Sequence, residues 1–82
     1  MTLPLVTFDR EADMLYVTLA DGDVHETRAF GDLRMVDYSA EGEVLGVEFV
    51  SASHGVDLTG LPLRAKVESA IGAIGFQVST LA

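Results

Sequence analysis

Leu33 to Val50 reads LRMVDYSAEGEVLGVEFV, two β-rich runs either side of Glu41-Gly42. A two-residue turn at Glu41-Gly42 sets Tyr38 opposite Leu45, Val36 opposite Val47 and Arg34 opposite Phe49, gathering apolar side chains on one face. The segment before it extends the pattern. Val6 and Phe8 match Val17 and Leu15 around a turn at Arg10 to Asp13, and Asp21-Gly22 brings Leu19 opposite Val24. Gly31-Asp32 marks a further two-residue turn. Val24 meets the core face from one side while Thr27 and Ala29 meet it from the other, which predicts a bulge near His25. The expectation is an antiparallel five-stranded β-meander, with strands at Leu5 to Phe8, Met14 to Leu19, Val24 to Ala29, Leu33 to Tyr38 and Val44 to Val50.

A sheet with one apolar face needs a cover. Leu63, Val67, Ala70, Ile71 and Ile74 recur at helical spacing, which predicts one amphipathic helix. Pro62 suits its first turn, and Gly75 suits a left-handed stop. Phe76, Val78 and Thr80 alternate as a short terminal strand that pairs with a sheet edge or with another subunit. The fold class is therefore α+β in a single domain, 1–82. The sheet is expected at about 5–50, the connection at 51–61, the helix at about 62–74 packed on one face, and the last strand at 76–80.

Composition narrows the function. A chain of 82 residues buries a thin core, and with no Cys it has no disulfide to reinforce it. Apolar residues form 49% of the chain although the net charge is -8. That combination points to an oligomer interface, and a homodimer is expected. Arg10, Arg28, Arg34, Arg64 and Lys66 are the only cations and are scattered, so neither a phosphate-tracking stripe nor a polybasic membrane segment is formed. No nucleic-acid or membrane partner is expected. The acidic balance suits a basic partner protein. Met1 to Val6 lacks a charged region ahead of an apolar run, so a cytoplasmic location is expected.

Three strings resemble a known family: FDREADMLYV at Phe8 to Val17, VDYSAEGEVLGVEF at Val36 to Phe49, and ASHGVDLTGLP at Ala52 to Pro62. They are similar to small prokaryotic proteins grouped as domain of unknown function 2283. That resemblance implies a small prokaryotic β-sheet protein with a helix, and a role beside toxin-like proteins as a partner, while the excess of Arg over Lys points to a bacterial source. It carries no activity onto named residues.

Three groups of side chains are candidates for a site. Asp9, Glu11 and Asp13 alternate through the first turn, where oxygen ligands would suit a hard cation. Arg10 competes within the group, and Asp9 and Asp13 are more simply the hydrogen-bonding residues that turns use. On the sheet face away from the helix the register collects Tyr16, Thr18, Arg28, Met35, Asp37 and Glu48, with Arg28 expected to pair with Glu48 or Asp37 across the strands. An open sheet face is seldom concave, so an interface fits this set better than a ligand pocket. Ser51, Ser53, His54 and Asp57 supply residue types used in nucleophilic catalysis. The chain has no G-x-S-x-G elbow, and a triad is assembled from residues distant in sequence, so the simpler expectation is that they shape a connection.

No catalytic residue and no cofactor is assigned from these patterns. The reading is a non-enzymatic protein–protein interaction module, with a small-ligand or divalent-cation binding protein as its alternative.

Overall fold

The computed structural model describes residues 3–75 and the backbone of 78 and 79. Its elements are β1 (Leu5–Asp9), β2 (Met14–Thr18), β3 (Glu26–Ala29), β4 (Arg34–Tyr38), β5 (Val44–Val50), a 3-10 turn at Ala52–His54, β6 (Val56–Asp57), α1 (Arg64–Ala73) and β7 (Val78–Ser79). The fold is α+β: β1 to β5 form one antiparallel sheet, and the helix lies against its apolar face. No helix among the described residues is long and apolar enough to cross a membrane.

Strand order is β1-β2-β5-β4-β3, so every chain-consecutive pair among these five strands is hydrogen-bonded except β2 and β3. The expected contact of Leu19 with Val24 does not form. The N–H groups of Leu19 and Ala20 donate instead to Leu45 O, at 2.8 and 3.2 Å, and Val24 is 54% exposed. Burial explains the choice. All four residues of β3 are exposed, whereas β5 carries Leu45, Val47 and Phe49, which are 3%, 0% and 1% exposed. Seating β5 beside β2 puts Leu15 on Phe49 and Val17 on Val47, and the charged β3 then serves as an edge that resists further pairing.

Two departures from the expected register cancel in the β4–β5 hairpin. Ser39 N donates to Glu43 O at 2.9 Å across a three-residue loop, Ala40 to Gly42, with Gly42 at φ 85. That loop is one residue longer than a two-residue turn and needs a left-handed third residue, which glycine supplies. A bulge then inserts Leu45, so Tyr38 faces Val44 while Asp37 faces Gly46. Val36 opposite Val47 and Arg34 opposite Phe49 are recovered. Within Glu26–Ala29 the β3–β4 pairing runs without a register shift, while His25, just ahead of β3, donates its N–H to Tyr38 O at 2.8 Å although Tyr38 stands opposite Glu26, so two residues address one there, as a bulge near His25 requires.

The β3–β4 hairpin has no such compensation. Phe30 N donates to Arg34 O at 2.9 Å across the three-residue loop Gly31 to Leu33, which sets Arg28 opposite Val36 instead of Met35. A slip of one residue moves every side chain of a strand to the other face. Arg28 therefore stands on the helix side of the sheet.

The core joins Leu15, Val17, Val36, Val47 and Phe49 of the sheet to Val67, Ala70 and Ile71 of α1. Ala52, Val56, Leu58 and Leu61, from the connection between sheet and helix, complete it. The helix begins at Arg64, two residues later than expected, because Leu63 adopts φ 52 and cannot continue a helix from Pro62. Gly75, at φ 81, provides the left-handed stop. Leu63 and Ile74, the ends of the expected stripe, are 46% and 50% exposed. Val78–Ser79 pairs in parallel with Val56–Asp57, within the chain and away from the main sheet. The rest of the expected strand at 76–80 lies outside the described residues.

Leu58→Ala should cost about 2–5 kcal/mol in urea unfolding, as for a fully buried core leucine. Leu63→Ala should stay within about 0.5 kcal/mol. Equal effects would refute the placement of the connection in the core.

Candidate functional site

The helix covers one face of the sheet, and strand alternation decides what the open face carries. Its cross-strand rows are Leu5, Thr18, Gly46, Asp37 and Thr27, then Thr7, Tyr16, Glu48, Met35 and Ala29, then Asp9, Met14 and Val50. Of the six residues expected there, Tyr16, Thr18, Met35, Asp37 and Glu48 are brought together. Arg28 is not. It pairs with Glu26, Nε to Oε2 at 2.8 Å, and lies 5.0 Å from the Tyr38 ring centre on the helix side. The expected pairing of Arg28 with Glu48 or Asp37 is thereby replaced.

The consequence is electrostatic. Arg34 also lies on the helix side, opposite Phe49, Arg10 is in the first turn, and Arg64 and Lys66 are on the helix. The strand residues of the open face thus include three carboxylates, Asp9, Asp37 and Glu48, and no cation.

Tyr16 is fixed across this face. Its hydroxyl donates to Asp37 Oδ2 at 2.7 Å, and Thr27 Oγ1 donates to Asp37 Oδ1 at 2.6 Å. The side chain starts on β2, passes over β5 and ends on β4, which requires that nothing project from β5 beneath it. Gly46 meets that requirement: a Cβ there would stand 2.2 Å from Tyr16 Oη and 2.5 Å from Cζ. Burial pushes the phenol well above its ordinary value of 10, and the hydrogen bond to Asp37 and the charges of Asp37 and Glu48 act in the same direction. Tyr16 therefore remains a neutral donor at neutral pH. Gly46 and Thr27 escaped the sequence reading. A glycine inside a β-branched run was the available signal for Gly46, since it marks close approach by another group. Thr27 followed from the β3 register and carried no signal of its own.

The first turn uses its acids on protein. Asp9 Oδ1 accepts from the N–H groups of Glu11 and Ala12, at 3.0 and 3.1 Å. Asp13, at φ 55, turns toward the 3-10 segment, where Ser53 N and Ser53 Oγ donate to its carboxylate at 2.8 and 2.6 Å. Asp9, Glu11 and Asp13 do not converge, and among the described residues no group of three His, Asp or Glu is placed to hold a metal ion.

The Ser53 proton is committed to Asp13, and His54 Nδ1 stands 3.9 Å from the same carboxylate. A nucleophilic serine needs a base that accepts its proton, and Asp13 is a poor one, because the Ser53 hydrogen bond, opposed by burial, holds it below its ordinary 3.8. Asp57 Oδ1 accepts from Thr59 N at 2.9 Å, and the Thr59 side-chain hydroxyl first, then this N–H, hold the Asp57 carboxyl below its ordinary value. Arg34 ties the same connection to the sheet, with Nε donating to Phe30 O at 2.9 Å and Nη1 to the carbonyls of Asp57 and Thr59. Beside it lies a cleft of about 420 Å³ lined by Phe30, Leu33, Phe49, Val56 and Asp57, among others.

Fold and face together define a two-layer α+β protein with one acidic sheet face that no described element covers. The chain belongs to the family described as "Protein of unknown function (DUF2283)", whose model matches residues 5–53, the whole five-stranded sheet and most of the turn that follows it. No curated protein and no solved structure matches it.

Gly46→Ala should destabilise the protein by about 1–3 kcal/mol, since the Tyr16 ring must leave its place. In a Tyr16→Ala background the same change should be neutral or favourable, because alanine is the better strand residue. A penalty that persists in that background, measured by denaturant unfolding, would refute the ring-over-glycine contact. The Asp13 lock has a pH signature. Its folded-state pKa lies below its unfolded value, so its contribution is complete above the ordinary 3.8 and is lost as pH falls through the lowered value. Asp13→Asn, which keeps the left-handed backbone acceptable, should lower stability at neutral pH, and the gap to wild type should close in acid.

Proposed function

We propose that this chain is a non-enzymatic protein–protein interaction module that docks a basic protein segment on its open sheet face. The carrying observation is that face's composition: three carboxylates, the fixed Tyr16, Met14 and Met35, and no strand cation. Opposite charge on a partner accelerates encounter and rejects wrong partners, while aromatic and methionine side chains supply the apolar contact that interface centres use. The commitment of the Ser53 hydroxyl to Asp13 supports a role without covalent catalysis.

Self-association as a homodimer is part of the proposal, and it belongs on the other side of the molecule. Two open faces meeting would oppose carboxylate to carboxylate, whereas Leu63 and Ile74 project exposed from the two ends of the helix stripe. A small-ligand reading draws on one observation, the cleft beside Arg34, whose volume of about 420 Å³ lies within the range of small-molecule sites.

Native mass spectrometry of the protein purified from its own host, as wild type and as Glu48→Lys, tests these readings together. The Glu48 side chain makes no hydrogen bond or ion pair with a described residue, so the charge reversal leaves the strand pairing of β5 in place. The expected result is a second, basic polypeptide carried by the wild type and lost from the variant, with the protein itself a dimer. A single chain carrying a reproducible small added mass would overturn the module in favour of the cleft. Equal retention of the polypeptide by both proteins would remove the open face from the interaction.

A further inference from the structure

One arrangement occurs twice in this sheet. Glu26 stands directly opposite Tyr38 across β3 and β4, and Tyr16 stands directly opposite Glu48 across β2 and β5. At the first pair the chain supplies its own cation. The Arg28 guanidinium pairs with both carboxylate oxygens of Glu26, Nε to Oε2 at 2.8 Å and Nη2 to Oε1 at 3.2 Å, and lies 5.0 Å from the Tyr38 ring centre. At the second pair no cation of the chain is present among the described residues, and the Glu48 carboxylate has no hydrogen-bonding partner there. Resting on the interaction reading above, we infer that the partner's central contact is an arginine, its guanidinium stacked on the outward side of the Tyr16 ring and hydrogen-bonded along its edge to Glu48.

The seat is prepared for such a group. The Tyr16 ring is held by Gly46 beneath it and by Asp37 at its hydroxyl, and Thr27 holds Asp37 in turn. Its rotamer entropy is already lost, so a partner gains contact area without ordering it. Donating its hydroxyl to a carboxylate enriches the ring in electron density, which strengthens attraction for a cation over its face. Glu48 has Tyr16 on one cross-strand side and Met35 on the other, both half-buried. The Glu48 side chain is thereby flanked on both cross-strand sides by apolar surface. A planar guanidinium satisfies ring and carboxylate at once, whereas a lysine ammonium can do so only as a point charge.

The test is a titration of the ¹⁵N-labelled full chain at low ionic strength with a tri-arginine peptide and, separately, with a tri-lysine peptide of equal charge. Saturable one-to-one amide shifts confined to Tyr16, Gly46, Glu48 and Met35 are expected with tri-arginine. Affinity for tri-lysine should be lower by about tenfold, the equivalent of about 1.4 kcal/mol. Glu48→Gln, which disturbs no internal hydrogen bond, should abolish the difference between the two peptides. Equal affinities at this face would overturn the arginine seat while leaving a basic partner in place. Shifts spread over the whole surface, or none, would overturn both.

Discussion

Everything in this molecule depends on β5 lying in the middle of the sheet. It is the longest strand and the most buried, and its Val47 and Phe49 have neighbours on both sides, Val17 and Leu15 from β2, Val36 and Arg34 from β4. A chain with so thin a core cannot leave its most apolar strand at an edge. Once β5 is central, the β2–β3 connection must cross to the far side of the sheet, and β3, with no buried residue, becomes an edge.

Registers then decide chemistry. Both three-residue hairpin loops shift their strands by one position relative to a two-residue turn. In β4–β5 the extra residue at Leu45 restores the alternation, so the core face stays apolar. In β3–β4 nothing restores it, and Arg28 passes to the helix side, where it meets Glu26 and Tyr38. The open face loses its only strand cation through that one-residue slip. Its acidic character is thus a property of loop length as much as of composition.

The remaining stability devices are polar staples between distant segments, which a cysteine-free chain of this size needs. Asp13 fastens the β1–β2 turn to Ser53, forty residues on, and Arg34 fastens β4 to the carbonyls of Asp57 and Thr59. Between them they hold the connection against the sheet so that Val56, Leu58 and Leu61 close the core beside the helix. The helix itself buries only Val67, Ala70 and Ile71, and the connection supplies the rest of the cover.

The sequence by itself determined the class of fold, the five strands, the single helix, and the central pairings of Val36 with Val47, Arg34 with Phe49 and Val17 with Val6. These follow from alternation and helical spacing, which are local patterns enforced by burial. It also put Tyr16, Met35, Asp37 and Glu48 on one face, since two-residue periodicity within a strand survives any error in how strands are ordered. Tertiary structure alone decided the neighbour of β2, the side taken by Arg28, the use of Gly46 as a bed for Tyr16, and the turning of Asp13 to Ser53 instead of toward Asp9 and Glu11. Each of these depends on loop lengths, a bulge or a contact between segments far apart in the chain. Such features come from competition among whole packings, and no short stretch of sequence carries that competition within itself.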